Sequence, residues 1–201
     1  MINVEAGVQA AVAKPRPSLR QSALGREIFE TALLIVLVYT LVNLATVRFF
    51  IEGPSMQPNF HEGQYLLVSR LHYLFGEPQR GDIVVFDPPG DDAQPDDPLL
   101  IKRLIALPGE TVAIREGQVF INDVPLAEPY TKELCTTSTC EDRTWEIPEG
   151  SFFFMGDNRN NSRDSRVFGP VTKDRIIGEA VVRYWPPQDW AIVLRYLFPG
   201  Q

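Results

Sequence analysis

From Thr31 to Val47 the chain carries no charged residue, and its apolar side chains, mostly Leu and Val, fall on every side of a helix. At about 1.5 Å per residue, this run extended through Ile51 reaches across a hydrocarbon core of roughly 30 Å. A helix apolar all round suits lipid better than a protein core. The pattern predicts a transmembrane anchor over residues 27–50. The segment before it is long for a signal-peptide n-region, and Arg48-Phe49-Phe50-Ile51 does not form a small-residue cleavage site, so the anchor is expected to stay uncleaved. Residues 1–26, with Pro15, Pro17 and scattered charges, read as a mobile tail. Lys14, Arg16, Arg20 and Arg26 all precede the run, which predicts a cytoplasmic N-terminus and a chain outside the membrane from Arg48 onward.

Beyond the anchor the period changes. Tyr65-Leu66-Leu67-Val68, Ile83-Val84-Val85-Phe86, Leu99 to Leu107, Thr111 to Ile114, Gln118 to Ile121, Ser151 to Met155 and Ile176 to Tyr184 are short runs rich in β-branched and aromatic residues. Gly and Pro punctuate them, and Arg115-Glu116-Gly117 between two such runs signals a hairpin. Without a long amphipathic helix, residues 51–201 are expected to form a mainly β domain, in which residues 110–150 leave room for only a small insertion. The tail from Trp185 to Phe198 is apolar but too short to span a bilayer. Packing on the domain and insertion of its aromatic residues at the membrane interface both fit it.

Charge and cysteines narrow the class. The formal net charge of −7, with no basic stripe, argues against a nucleic-acid partner. The stretch Asp87 to Asp97, where prolines interleave with aspartates, reads as a solvated loop. Cys135 and Cys140 lack two further ligands at metal-binding spacing, so no metal or other cofactor is expected. On the outer side of a membrane a short-loop disulfide suits them, with buried free thiols as the other reading.

Candidate chemistry centres on Gly53-Pro54-Ser55-Met56-Gln57-Pro58, a shaped turn that presents one serine just past the anchor. Turn formation explains such a serine as well as nucleophilic catalysis does. A nucleophile needs a base, and neither His61 nor His72 sits in a triad motif. Lys102 enters an otherwise apolar strand, where burial would lower its pKa enough to make it a base. A lysine snorkelling from an edge strand is the other reading. Alternation sends Lys102 and Arg103 to opposite faces, so that one is expected to be buried while the other reaches solvent.

Four stretches in order settle the comparison: Gly53 to Pro58, Gly81-Asp82-Ile83-Val84-Val85-Phe86, Ile101-Lys102-Arg103 with Leu107-Pro108-Gly109-Glu110, and Met155 to Arg166. Together they resemble the signature boxes of bacterial type I signal peptidases, over about three quarters of the chain. The wording Asn161-Ser162-Arg163-Asp164-Ser165-Arg166 followed by Val167-Phe168-Gly169-Pro170 looks most like cyanobacterial and plastid members. The resemblance implies a β domain of short coiled antiparallel sheets behind one membrane helix. It also implies a membrane-bound Ser/Lys endopeptidase that removes signal peptides from exported preproteins through an acyl-enzyme.

By motif matching, Ser55 would be the nucleophile, Lys102 the general base and Ser162 the group that orients the lysine. Gly53, Met56, Gly156, Asp157, Asn158, Arg159, Asp164 and Arg166 would supply the oxyanion region and framework, with Asp164 and Arg166 as a scaffold ion pair. Some members carry a serine donor where this chain has Gly53, which leaves the Ser55 N–H as the one assignable oxyanion donor. The implied substrates are preproteins with small residues at positions −1 and −3. Met56 and the apolar residues beside Lys102 are expected to line shallow pockets for them. The implied location is the cytoplasmic or thylakoid membrane, with the catalytic domain on the extracytoplasmic or lumenal side and membrane lipid as a partner. A catalytically silent signal-peptide-binding domain and a self-cleaving repressor-type protease are the rival readings; the latter class lacks a membrane anchor.

Overall fold

A computed structural model describes residues 19–89, 98–136 and 139–198. The expected mobile tail lies largely outside these residues, as does most of the acidic stretch. Helix α1 (Leu19–Ala45) contains an apolar span, Ala23–Ala45, with a mean hydropathy of 2.1 and its apolar side chains exposed. It ends earlier than the apolar run suggests. Thr46 to Phe50, reckoned above as part of the anchor, form strand β1 (Thr46–Phe50), which pairs antiparallel along its length with β2 (Tyr65–Ser69). The β-branched and aromatic residues of this stretch favour a pleated, paired surface over a final helical turn.

The chain divides into two units, residues 1–42 and 43–201. In the second, β3 (Ile83–Phe86), β4 (Leu100–Ala106), β9 (Ser151–Met155), β10 (Val171–Thr172) and β11 (Ile176–Trp185) join β1 and β2 in a sheet ordered β1-β2-β11-β3-β4-β9-β10. Strand β12 (Ala191–Ile192) adds to β11. The expected insertion is a sheet of its own, β7-β6-β5-β8, made of β5 (Thr111–Arg115), β6 (Gln118–Ile121), β7 (Val124–Pro125) and β8 (Arg143–Glu146). Short helices α2 (His72–Phe75) and α3 (Ser165–Phe168), with 3-10 turns at Lys173–Arg175 and Pro187–Asp189, complete the elements among the described residues.

Strands buried on both faces read as continuous apolar runs, and two strands here show why. In β3, Ile83 and Val85 pack with Ile51, Met56, Leu66 and Val68, while Val84 and Phe86 pack with Leu104, Phe152 and Phe154. In β9, Phe153 and Met155 turn the other way, onto Val112, Ile114 and Val119 of the second sheet. The central strands are thereby covered on both sides, and β4 is buried from Ile101 to Ala106. The C-terminal tail packs by one face: Tyr196 and Phe198 stack edge-on to Tyr130. Trp190, Ile192, Leu194 and Leu197 remain exposed.

Candidate active site

The Ser55 turn follows β1 directly and is anchored at both ends. Ile51 N–H donates to Gln64 O at 2.9 Å, and Gln57 N–H donates back to Pro54 O at 3.1 Å. Gly53 sits at φ 79°, a left-handed conformation that L side chains rarely adopt. This accounts for glycine at the position where a serine donor was considered. Met56 has no solvent exposure and packs in the core beside Ile51, Phe60 and Leu66. It therefore does not line an open pocket, contrary to expectation. Burying such a side chain is worth about 1.5–3 kcal/mol, which pins the turn from beneath.

From β4, Lys102 reaches this turn. Its Nζ lies 2.8 Å from Ser55 Oγ and 2.9 Å from the carbonyl oxygen of Ile101. The side chain is buried, and burial draws the ammonium down from 10.5 to about 8, against the opposing charges of Asp164 and Asp157. Near neutral pH a useful fraction of the amine is therefore free, and in that form the Ser55 hydroxyl donates to Nζ. An exposed snorkelling lysine is thereby ruled out. Neighbouring Arg103 does not reach solvent either. It is 4% exposed, because its guanidinium lies over the Tyr130 ring and makes two bonds to Asp157, at 2.8 and 2.7 Å. Two buried cations side by side are tolerable because one is paired and the other is readily deprotonated.

The segment from Gly156 to Arg166 folds against the serine turn. Asn158 N–H donates to Ser55 O at 3.0 Å, and Asn158 Nδ2 donates to Pro54 O at 3.2 Å. Gly156 is enclosed: a Cβ there would collide with Ser162 Oγ and with Ser55 O. Its N–H donates to Asp164 Oδ2 at 2.9 Å. Burial alone would raise the Asp164 carboxyl, but its bonds to Arg166 and to this N–H hold it below the ordinary value. Ser162 Oγ is buried and, among the described residues, makes no bond of normal geometry to Lys102 or to any other group, although its proximity to Asp164 adds to that lowering. An unsatisfied buried hydroxyl beside this cluster can still rotate toward a partner.

Several contributors carry no motif. Arg159 makes two bonds to Glu128, at 2.6 and 2.5 Å, and donates to Gly156 O at 3.0 Å. Asn59 Nδ2 bonds Asp157 Oδ2 at 2.8 Å and the Tyr130 carbonyl at 2.7 Å. Asn59 adjoins the Ser55 stretch and could have been suspected from its place, whereas Glu128 and Tyr130 sit in a segment with no local signal. Cys135 and Cys140 are paired, with Cα atoms 5.8 Å apart. His61 makes no side-chain hydrogen bond to Ser55 among the described residues, and His72 instead faces Glu179 at 2.8 Å. Four cavities of about 210 to 430 Å³ lie elsewhere; none is lined by Ser55 or Lys102. The half-buried serine and the buried lysine thus meet at this turn. The arrangement can deprotonate a hydroxyl and direct it at an acyl carbon.

Residues 25–185 match the family described as signal peptidase, peptidase S26. The chain is 38% identical over 184 residues to signal peptidase I of Leptolyngbya laminosa, covering 89% of this chain and 86% of that protein. It is also 38% identical over 175 residues to probable signal peptidase I-1 of Synechocystis sp., covering 81% of this chain and 86% of that protein. Thylakoidal processing peptidase 1 of Arabidopsis thaliana is 34% identical over 143 residues, or 68% of this chain and 41% of that one.

Proposed function

The chain belongs to the signal peptidase family, peptidase S26, and we propose that this membrane-anchored peptidase cleaves signal peptides with Ser55 as nucleophile and Lys102 as general base. The observation that carries the mechanism is the 2.8 Å approach of a buried amine, drawn down to about 8, to the Ser55 hydroxyl. Ser55 Oγ attacks the scissile carbonyl carbon as its proton passes to Lys102 Nζ. The tetrahedral oxyanion is met by the Ser55 N–H, which donates to no group among the described residues. Collapse gives an acyl-enzyme, with Lys102 returning its proton to the leaving amine. The freed lysine then activates water for deacylation.

Ser162 is assigned as a positioning residue. Its unsatisfied hydroxyl supports this role, being free to turn toward the lysine once substrate excludes water. Asp157, Asn158, Arg159, Asp164 and Arg166 form the framework, each through the buried bonds described above. Two further features complete the reading. The basic residues ahead of the apolar run favour a cytoplasmic N-terminus, and hence a catalytic unit on the extracytoplasmic side. The reading assigns extended substrates with small residues at −1 and −3, since the packed surroundings of Ser55 and Lys102, with Met56 and Ile101 buried beside them, reject a large side chain by overpacking.

The test is a cleavage assay on a preprotein with the cut site mapped. Wild type should cut at one position, Ser55→Ala should be inert, and Lys102→Arg should be equally inert because arginine keeps its proton. Turnover by Lys102→Arg would remove the lysine from its role.

A further inference from the structure

The Cys135–Cys140 pair takes no part in this chemistry, yet it sits against the segment that carries Ser162 and Asp164. Arg166 Nη1 lies 2.7 Å from Cys140 Sγ and 3.3 Å from Cys135 Sγ. The same guanidinium holds Asp164 through Nε and Nη2, at 2.8 Å each. Asn160 makes a second tie: its Oδ1 accepts from Thr136 N–H at 2.9 Å and from Thr139 Oγ1 at 2.6 Å, and its Nδ2 donates to Leu134 O at 3.1 Å. Cavities flank the pair. Cys135 lines one of about 410 Å³, with Gly117, Glu128 and Arg159, and Cys140 lines another of about 210 Å³, with Arg143 and Arg166. The pair itself is buried, with Cys135 8% and Cys140 2% exposed, so a reductant reaches it by way of these cavities.

Apolar surroundings disfavour a thiolate and make a structural disulfide inert, whereas a neighbouring cation stabilises the thiolate that must leave. We propose that Cys135–Cys140 is a reducible regulatory disulfide, opened by a dithiol reductant, and that opening it loosens the Arg166–Asp164 seat of the active-site segment. In the exchange a thiolate of the dithiol attacks Cys135 Sγ. The S–S bond breaks, and its electron pair departs on Cys140 Sγ, facing Arg166. The second thiol of the reductant loses its proton to solvent and attacks its own partner sulfur in the mixed disulfide, which releases Cys135 as a thiolate that takes up a proton. The protein disulfide gains two electrons, and the dithiol becomes a disulfide. A thiolate on Cys140 then competes with Asp164 for Arg166. Asp164 raises the pKa of Lys102 and Arg166 lowers it, so both the new anion and the diverted cation hold the lysine proton more firmly.

Only the pH arm of the test rests on Ser55 and Lys102 acting as proposed above. Full-length protein in detergent is treated with dithiothreitol, its thiols are counted by alkylation and intact mass, and preprotein cleavage is followed across pH. Folding is monitored by circular dichroism. Two alkylated thiols per folded chain are expected, with a loss of turnover of roughly tenfold near neutrality from the displaced segment. The pH–rate profile should shift to higher pH, and oxidised glutathione should restore both. A Cys135→Ser/Cys140→Ser variant should not respond to dithiothreitol; if it fails to fold, reversible reduction of the native chain decides alone. Three results overturn the proposal: no alkylated thiols in the folded protein, two thiols with unchanged rate and profile, or an equal loss in the double-serine variant. Ser55→Ala assayed alongside separates the readings, since cleavage by that variant would remove the dyad while the thiol count still judged the disulfide.

Discussion

At Lys102 one physical term, loss of solvation, sets both reactivity and cost. A fall from 10.5 to about 8 corresponds to roughly 3 kcal/mol of preference for the neutral amine. The folded pKa lies below the unfolded one, so between about 8 and 10.5 the unfolded chain binds more protons, and stability rises with pH across that window. Below about 8 the penalty is present in full. Lys102→Met should therefore be more stable than wild type near pH 7 by up to about 3 kcal/mol, with the gap closing toward pH 10 in urea unfolding series. The same value governs turnover: kcat/KM should climb with pH and level off above about 8. A profile flat across that range would remove the lysine as base. Combining Ser55→Ala with Lys102→Ala should lose little beyond either change alone, because the two act as a unit.

At the scale of elements, the site depends on how β4 and the segment after β9 are locked together. Arg103 and Asp157 are both buried, so Asp157→Ala leaves a guanidinium without its counter-charge. It should destabilise the fold by about 3–5 kcal/mol, read as a lowered denaturant midpoint. The Lys173–Glu77 pair makes the control: its side chains are 42% and 74% exposed, and Glu77→Ala should cost less than about 1 kcal/mol. Gly156 is the tightest joint between the two segments. Gly156→Ala drives a methyl group into Ser162 Oγ and Ser55 O, so it should cut turnover by roughly a hundredfold through displacement of the nucleophile. Unchanged turnover in a folded Gly156→Ala protein would mean that the turn can shift without cost.

For the whole molecule, the useful boundary is the one between the two units. A chain beginning at Asn43 keeps all of β1 and should cleave short peptides, whereas one beginning at Phe49 loses three of the five β1–β2 partners and should unfold at lower denaturant concentration. Much of this molecule was legible without coordinates. The apolar run, the period-two strands and the serine and lysine stretches are written in local chemistry, because hydrophobic periodicity and turn residues act over a few positions. The end of α1 was misplaced because Val47, Phe49 and Phe50 carry the apolar run on past a single charge, Arg48, and only pairing with β2 makes them a strand. One of Lys102 and Arg103 was expected to reach solvent, and both are buried, since alternation alone does not reveal that both faces of β4 are covered. Met56 was expected in a pocket for a similar reason: its neighbours in space come from β2 and β3. Glu128 under Arg159, and the cysteine pair against Arg166, join residues 31 and 26 or more positions apart. Contacts at that separation follow from strand register and loop closure, which leave no trace in neighbouring residues. Local chemistry determined the elements and the candidate pair, while tertiary packing decided which charges are buried and what holds them.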